Sequence, residues 1–308
     1  ARLFGAASYA DFKLRRNMAQ SAAQAERFVA DVQRAVAERE RAEFDEMRAA
    51  KAQALGQPVG DVRLERWDAA FYAEQIRRAR HAVDQEAFRA HLPPQESLLM
   101  AMRMIETMMG VRYTRVPGVR LWHADAQAWA VSDAASGRPL ATLLVDLYPR
   151  EGKSGSAFVW SYRNGSTRLN RVPQAVLVTN LDRRGLTLED LGETLLHEFG
   201  HAVHNNLSRT RLASQAGTNV LPDFVEAPSQ MLEDWIYERS VLDLMRDVCN
   251  TCPPVPDALL AQARAAKRFG IGTRYARQAL YASFDLGLHG PGAPEPMEGL
   301  VRILDAAA

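Results

Sequence analysis

Apolar residues recur every three to four positions over residues 1 to about 110. They change to short β-branched and aromatic runs between 111 and 180, and the helical period resumes from Thr187. In the first stretch Ser8, with Asp11 three residues on, predicts a capped helix start. Phe28, Val29, Val32 and Val36 share a helical stripe among Arg, Glu and Gln. The Ala-, Arg- and Glu-dense run from Glu38 to Leu55 ends at Gly56, a suitable stop. A third helix is expected from about Asp68 to Val83. Pro93-Pro94 breaks the chain, and Glu96 to Met109 predicts a helix stopped by Gly110. The charged faces of these helices read as the solvated side of a helical layer.

The runs VRYTRV (111–116), VRLW (119–122), AWAV (128–131), ATLLV (141–145), AFVW (157–160) and AVLVT (175–179) are split by turn signals. These are Pro117-Gly118, Ser136-Gly137 and Asn164-Gly165. They predict a small sheet of four to six strands. Thr187 with Asp190 then opens a helix carrying Leu188, Leu191, Leu195, Leu196, Phe199 and Val203, ending near Asn206. A second long helix is expected from near Asp223 past Trp235, a loop from Cys249 to Pro256, and helices at about 257–268 and 273–288. No internal repeat is present. The pattern gives a mainly α chain with a small β-sheet, an α+β layout. Residues 1–110 form a helical region, and 111–308 a second region in which the sheet precedes further helices.

Composition narrows the function classes. The chain of 308 residues has 38 Lys+Arg against 37 Asp+Glu, a net charge of +1. Such a balance supplies no global field to draw nucleic acid or an anionic membrane, so neither is expected as a partner. No apolar stretch reaches the length of a membrane span, and no signal peptide is visible. Two cysteines, Cys249 and Cys252, cannot build a disulfide framework and fit a reducing, cytoplasmic setting. Their CxxC lacks the second pair of a zinc site and the βαβ context of a redox motif, so it reads as a plain loop pair of thiols.

The chemistry concentrates at His197-Glu198-Phe199-Gly200-His201, an HExxH sequence. On a helix the two histidines lie about 40° apart around the axis and about 6 Å apart along it. Both imidazoles can therefore reach one tetrahedral zinc. Glu198, about 100° round from His197, can take a proton from zinc-activated water without being a ligand. A shuffled chain of this composition yields about 0.01 such matches, so chance is a poor account of it. A catalytic zinc needs a third protein ligand and keeps one position open. No histidine occurs between His204 and His289, which leaves a carboxylate: Asp223, Glu226, Glu233, Asp234 or Glu238. Spacing does not separate Glu226 from Glu233, seven residues apart on one helix face.

The segments LLHEFGHAVH (195–204), GTNV (217–220) and DFVEAPSQMLEDW (223–235) together resemble the thimet oligopeptidase/neurolysin family of zinc metallopeptidases, peptidase family M3. DLYPREGK (146–153) resembles another family segment, and weaker similarity runs back through Trp67-Asp68 to Asn17-Met-Ala. The resemblance implies that Glu226, the glutamate of DFVEAPSQ, is the third ligand. It further implies a zincin-like fold, one Zn²⁺ per chain, and short peptides as substrates, cleaved at internal bonds beside a deep channel. One sheet edge would pair with the bound peptide backbone. Glu193, one turn before His197, and Glu233 are the candidates for orienting the ligands.

The sequence also departs from the family. The Gly- and Tyr-rich segment that supplies His and Tyr to the oxyanion has no counterpart, since only Tyr237, Tyr275 and Tyr281 follow Glu226. Losing one such donor typically costs about 10²–10³ in rate. The chain opens at Ala1 without Met and stops at Ala308, and the family's N-terminal helical portion is unmatched. These features together predict a fragment of a longer two-domain peptidase, lacking both ends. Two alternatives stand beside the endopeptidase: a dipeptidyl carboxypeptidase of the same superfamily, and a truncated, non-catalytic zinc- or peptide-binding protein. His204 reads as a surface or supporting residue, and His123 and His289 have no partner pattern. Arg150 and Lys153 read either as a solvated turn or as contacts for a substrate carboxylate.

Overall fold

The computed structural model of the chain describes residues 1–81, 84–290 and 298. It divides into two compact units, one of residues 1–83 with 261–308, the other of residues 84–260. This division cuts across the change of hydrophobic period at residue 110, because α4 belongs with the sheet that follows it.

The first unit is helical. α1 (Tyr9–Leu14) begins where Ser8 accepts a hydrogen bond from the Asp11 amide, the cap expected of that pair. α2 (Ala22–Leu55) is one helix of 34 residues, about 51 Å long. It ends at Gly56 with φ 66°, the left-handed residue that closes a helix without a Cβ clash. Phe28 on its predicted stripe is exposed. α3 (Arg66–His81) is tied to α2 by the Lys51–Asp68 ion pair at 2.5 Å; the expected end at Val83 lies outside the described residues. α10 (Ile271–His289) packs along α2. A buried carboxylate joins the two: Glu43 accepts from the amides of Gly272 (3.3 Å) and Thr273 (2.9 Å), and from the Arg39 guanidinium. α9 (Asp257–Lys267) carries the chain from one unit to the other.

The second unit holds the sheet. α4 (Pro94–Met109) starts with Pro94 in its first turn, where a missing N–H costs nothing, and stops at Gly110. β1 (Val111–Arg115), β2 (Gln127–Asp133), β3 (Pro139–Asp146), β4 (Phe158–Arg163) and β5 (Gln174–Val178) follow. Their order is β1-β2-β3-β5-β4, antiparallel except for the β3–β5 pair, which leaves β4 at an edge. The predicted strand at Val119–Trp122 does not form. It follows Gly118 at φ 75°, and Trp122 turns its indole N–H to Asp146 at 2.7 Å. One sheet face packs Leu143, Val145, Ala175 and Leu177, all fully buried, against a helix that carries Leu191, Leu195, Phe199 and Ala202.

That helix opens with the Thr187–Asp190 pair, each side chain bonding the other's amide at 2.9–3.0 Å. Its first part, Asp190–Leu196, is wound as a π-helix, and α5 (His197–Asn206) continues it as α-helix. The long helix expected from Asp223 is instead broken. α6 (Ala227–Glu233) starts beside Pro228, a 3₁₀ turn covers Asp234–Tyr237, and α7 (Arg239–Leu242) and α8 (Met245–Val248) are single turns. Pro228 can occupy only a first helical turn, so the helix cannot begin at Asp223. Cys249 and Cys252 are disulfide-bonded, which corrects the reading of two free thiols. Among the described residues no helix is long and apolar enough to cross a membrane.

Candidate metal centre and active site

α5 and α6 touch without side chains between them. A Cβ added to Gly200 would lie 2.5 Å from the Ser229 Cα and 2.8 Å from the Pro228 carbonyl oxygen. Glycine inside a helix costs about 1 kcal/mol relative to alanine, and here that cost allows the start of α6 to lean on the HExxH turn. The consequence is the position of Glu226, at the N-cap of α6. Its Oε2 lies 3.3 Å from His197 Nε2 and 3.1 Å from His201 Nε2. A tetrahedral ion with bonds of about 2.0–2.1 Å separates its ligand atoms by about 3.3 Å. The donor atoms of His197, His201 and Glu226 all fall within 4.8 Å of one another.

Neighbouring groups hold each donor. Glu233 Oε1 accepts from His197 Nδ1 at 2.6 Å, which directs that ring's Nε2 toward Glu226. Ser229, fully buried, shares its one hydroxyl hydrogen between Glu226 Oε2 at 2.8 Å and the Glu226 carbonyl at 2.9 Å. Burial lowers the pKa of His201, opposed by Glu226, so its neutral, ligating form is favoured. Glu193 is exposed on the π-wound turn before His197. The ring of His204, half-buried, meets Phe224 edge-on at 6.2 Å and lies outside the donor group; its Nδ1 has no partner among the described residues.

Glu198 is 7% exposed, and its Oε2 is buried with no hydrogen-bond partner among the described residues. Burial pushes its carboxyl up to about 6; His197 opposes this and Glu226 adds to it. That places it nearer to neutral pH than a free glutamate. The donor chemistry (two imidazoles and one carboxylate with a spare buried carboxylate beside them) fits a zinc ion.

Arg150 and Lys153 are neither a solvated turn nor open substrate contacts. Both bind the buried Asp146, Arg150 with two bonds of 2.8 Å to the carboxylate, and Lys153 with one of 2.9 Å to the carboxylate and one of 3.0 Å to the backbone carbonyl. Lys153 Nζ also donates to the carbonyls of Tyr148 and Thr179, at 2.7 and 2.6 Å. The sequence reading missed the part played by Ser229. A serine three residues after a glutamate carries no local signal of that role, which depends on α6 starting at Ala227.

The HExxH helix beside a small mixed sheet, with a glutamate brought across from the next helix, defines a metallopeptidase-like centre. The sequence model of peptidase family M3 matches residues 1–307, and the chain belongs to that family. It is 29% identical to oligopeptidase A of Escherichia coli over 306 residues, 96% of this chain and 44% of that protein. It is 30% identical to a thimet-like oligopeptidase of Dictyostelium discoideum over 234 residues, 72% of this chain and 35% of that protein. With dipeptidyl carboxypeptidase of Escherichia coli it shares 30% over 299 residues, 94% of this chain and 43% of that protein. The chain thus spans less than half the length of these relatives.

Proposed function

We propose that this chain carries the zinc site of a metalloendopeptidase that hydrolyses internal bonds of short peptides. The observation that supports this most is the convergence of His197 Nε2 and His201 Nε2 on one Glu226 oxygen, at 3.3 and 3.1 Å. His197, His201 and Glu226 would hold the ion, with Glu233 fixing the His197 ring and Ser229 the Glu226 carboxylate. Zinc bound there would supply a Lewis acid that polarises the scissile carbonyl and acidifies water. Glu198 takes the proton from the attacking water and returns it to the leaving amine. Burial of Glu198 keeps its proton affinity high enough for both transfers.

The substrate backbone would add to the free edge of β4 as a further strand. Ser161 on β4 accepts from the Asn205 amide of α5, which ties this edge to the metal-bearing helix. Dipeptidyl carboxypeptidase action is the second reading, supported by the relative of that name. The two differ in where the substrate's C-terminus is held. Metal content per chain and cleavage of a quenched fluorescent peptide, with and without chelator, test the proposal. Product masses separate internal cleavage from release of C-terminal dipeptides. Zinc uptake without any cleavage would favour a binding role for this chain.

A further inference from the structure

Two segments of the second unit contain no acidic residue: 152–181 and 199–222. Between them they carry Arg163, Arg168, Arg171, Arg209 and Arg211. The fold brings these arginines to one place. The Thr167 amide donates to the Thr210 carbonyl at 3.0 Å, and the Ser166 hydroxyl to the Arg211 carbonyl at 2.8 Å. Ser166 and Arg171 pair as an isolated bridge, and the Arg171 side chain donates to the Asn164 carbonyl at 2.8 Å. Loop 163–172 is thereby bonded to loop 208–212. Arg163, Arg168, Arg209 and Arg211 are exposed, and none of the five pairs with a carboxylate among the described residues. Elsewhere in the same unit Arg89, Arg103, Arg150, Arg183 and Arg184 each sit beside one; Arg112, Arg115, Arg120 and Arg138, on and around β1 and β3, do not, but no bonds between loops among the described residues gather them as they gather these five. In a chain of net charge +1, this is a local excess that its own carboxylates do not neutralise.

Its location gives it a use. Arg163 ends β4, so the loops lie at one end of the free sheet edge. A hollow of about 480 Å³ adjoins them, lined by His204, Leu207, Arg209, Thr210, Gly217 and Val220. His204 lies about 20° around the α5 axis from His197, so one residue lining the hollow shares the metal-bearing side of the helix. We propose that the paired loops recognise acidic residues at one end of a peptide lying along β4. This rests on the reading of the chain as a peptidase, whose substrate class it narrows to peptides acidic on that flank. Exposed guanidinium groups suit the task, since they bind carboxylates through paired hydrogen bonds. Continuity with the strand edge and the hollow favours a peptide over a nucleic acid or a lipid surface, which would call on charge spread over a wider area.

Three fluorescein-labelled peptides with one core sequence test this on the zinc-loaded chain, read by fluorescence anisotropy and checked for integrity by mass spectrometry. One is flanked by serines, one has three glutamates at its N-terminus, one has them at its C-terminus. One of the two acidic peptides should bind about tenfold tighter than the serine peptide at low salt. The other should gain less than about twofold, because the arginines lie at a single end of β4. The gain should fade at about 0.5 M salt and vanish in Arg168→Glu/Arg211→Glu. Arg163→Glu, on the strand itself, should reduce it in a separately folded protein, with melting temperatures confirming both variants. Equal gain for both acidic peptides, no gain, or a gain kept in the double variant would overturn the proposal. So would tighter binding of a single-stranded oligonucleotide or an anionic vesicle than of the favoured peptide. Zinc content measured on the same samples keeps the two readings apart: absent zinc counts against the peptidase, and absent charge preference with zinc bound counts only against the arginine surface.

Discussion

Two buried carboxylates in the same unit illustrate opposite uses of burial. Asp146, 1% exposed at the end of β3, is met by Arg150, Lys153 and Trp122. Burial alone would raise its pKa, but these partners overcome it and hold the carboxyl well below the usual range. Glu198, 7% exposed on α5, has one oxygen with no partner among the described residues, and burial lifts it to about 6. The first is a fixed charge that fastens the 146–153 loop to β3. The second is a charge kept unstable, which a proton can discharge. What separates the two carboxylates is the number of donors aimed at each.

The largest effect expected from breaking this contrast is on catalysis. Glu198→Gln should lower peptide cleavage by about 10³-fold or more while zinc content and melting temperature stay near wild type. The amide keeps the size of the side chain and removes the proton transfer. Cleavage that survives the substitution would remove Glu198 from the reaction.

Asp146→Asn should act the other way, on stability before chemistry. It leaves the Lys153 ammonium, 5% exposed, without its counter-charge. Removing one partner of a buried pair typically costs about 3–5 kcal/mol. Urea denaturation should show a loss in this range, and the double variant Asp146→Asn/Lys153→Met should recover part of it. A loss below about 1 kcal/mol would mean that the cluster is solvated in solution.

How much of this was legible in the sequence depended on whether the signal was local. The HExxH spacing alone brings two imidazoles to one side of a helix, and the glycine stops at Gly56 and Gly110 fall where a left-handed residue is needed. The period change at 111 marked the sheet, because pairing imposes its alternation on the chain. Three features were not local. Val119–Trp122 has strand composition, yet Trp122 is committed to Asp146 in a different part of the unit. The helix beyond Asp223 breaks because Pro228 and the contact with Gly200 fix where α6 starts. Arg150 and Lys153 of DLYPREGK read as a solvated turn or as substrate contacts, since nothing in a one-dimensional pattern says that Asp146 is buried. The choice of Glu226 over Glu233 came from family resemblance. The geometry gives the two residues different tasks, one beside the Nε2 atoms and the other beside His197 Nδ1.

Groups that hold the donors in place should matter less than either carboxylate. Glu233→Gln and Ser229→Ala should each weaken zinc binding by about 10–100-fold, measured by competition with a chromogenic chelator. Substituting Co²⁺ for zinc adds a direct probe, because its visible spectrum reports ligand geometry. A shifted spectrum in Ser229→Ala with the fold intact would assign the hydroxyl to setting Glu226. Unchanged affinity and spectrum in both variants would mean that the α5–α6 contact at Gly200 sets the site unaided. Gly200→Ala then becomes the decisive change, since its methyl group would meet backbone rather than a flexible side chain.

The smallest effect is the pH dependence of stability in the metal-free chain, where the two carboxylates pull in opposite directions. Burial holds the folded Glu198 carboxyl at about 6, above the ordinary glutamate value of about 4.3. Between those values the folded chain binds more protons at this group than the unfolded one, so its contribution to stability rises as pH falls through the window. That difference is worth about 2 kcal/mol at most. Asp146 has a depressed folded pKa. Its contribution is fully present above the unfolded value of about 3.9 and is lost as pH falls below it toward the folded pKa. Burial lowers the pKa of His201 and His204, which opposes the Glu198 gain over the same range, so Glu198 is read from the difference between two proteins in which both histidines are unchanged. Melting curves recorded in chelator should show wild type gaining stability over Glu198→Gln from pH 7 to about 4.5, and both proteins losing stability below about 4. Asp146→Asn should lower the whole curve and soften the acid limb. No gain of wild type over Glu198→Gln in the first range would assign the proton uptake to another group and would erase the contrast between the two carboxylates.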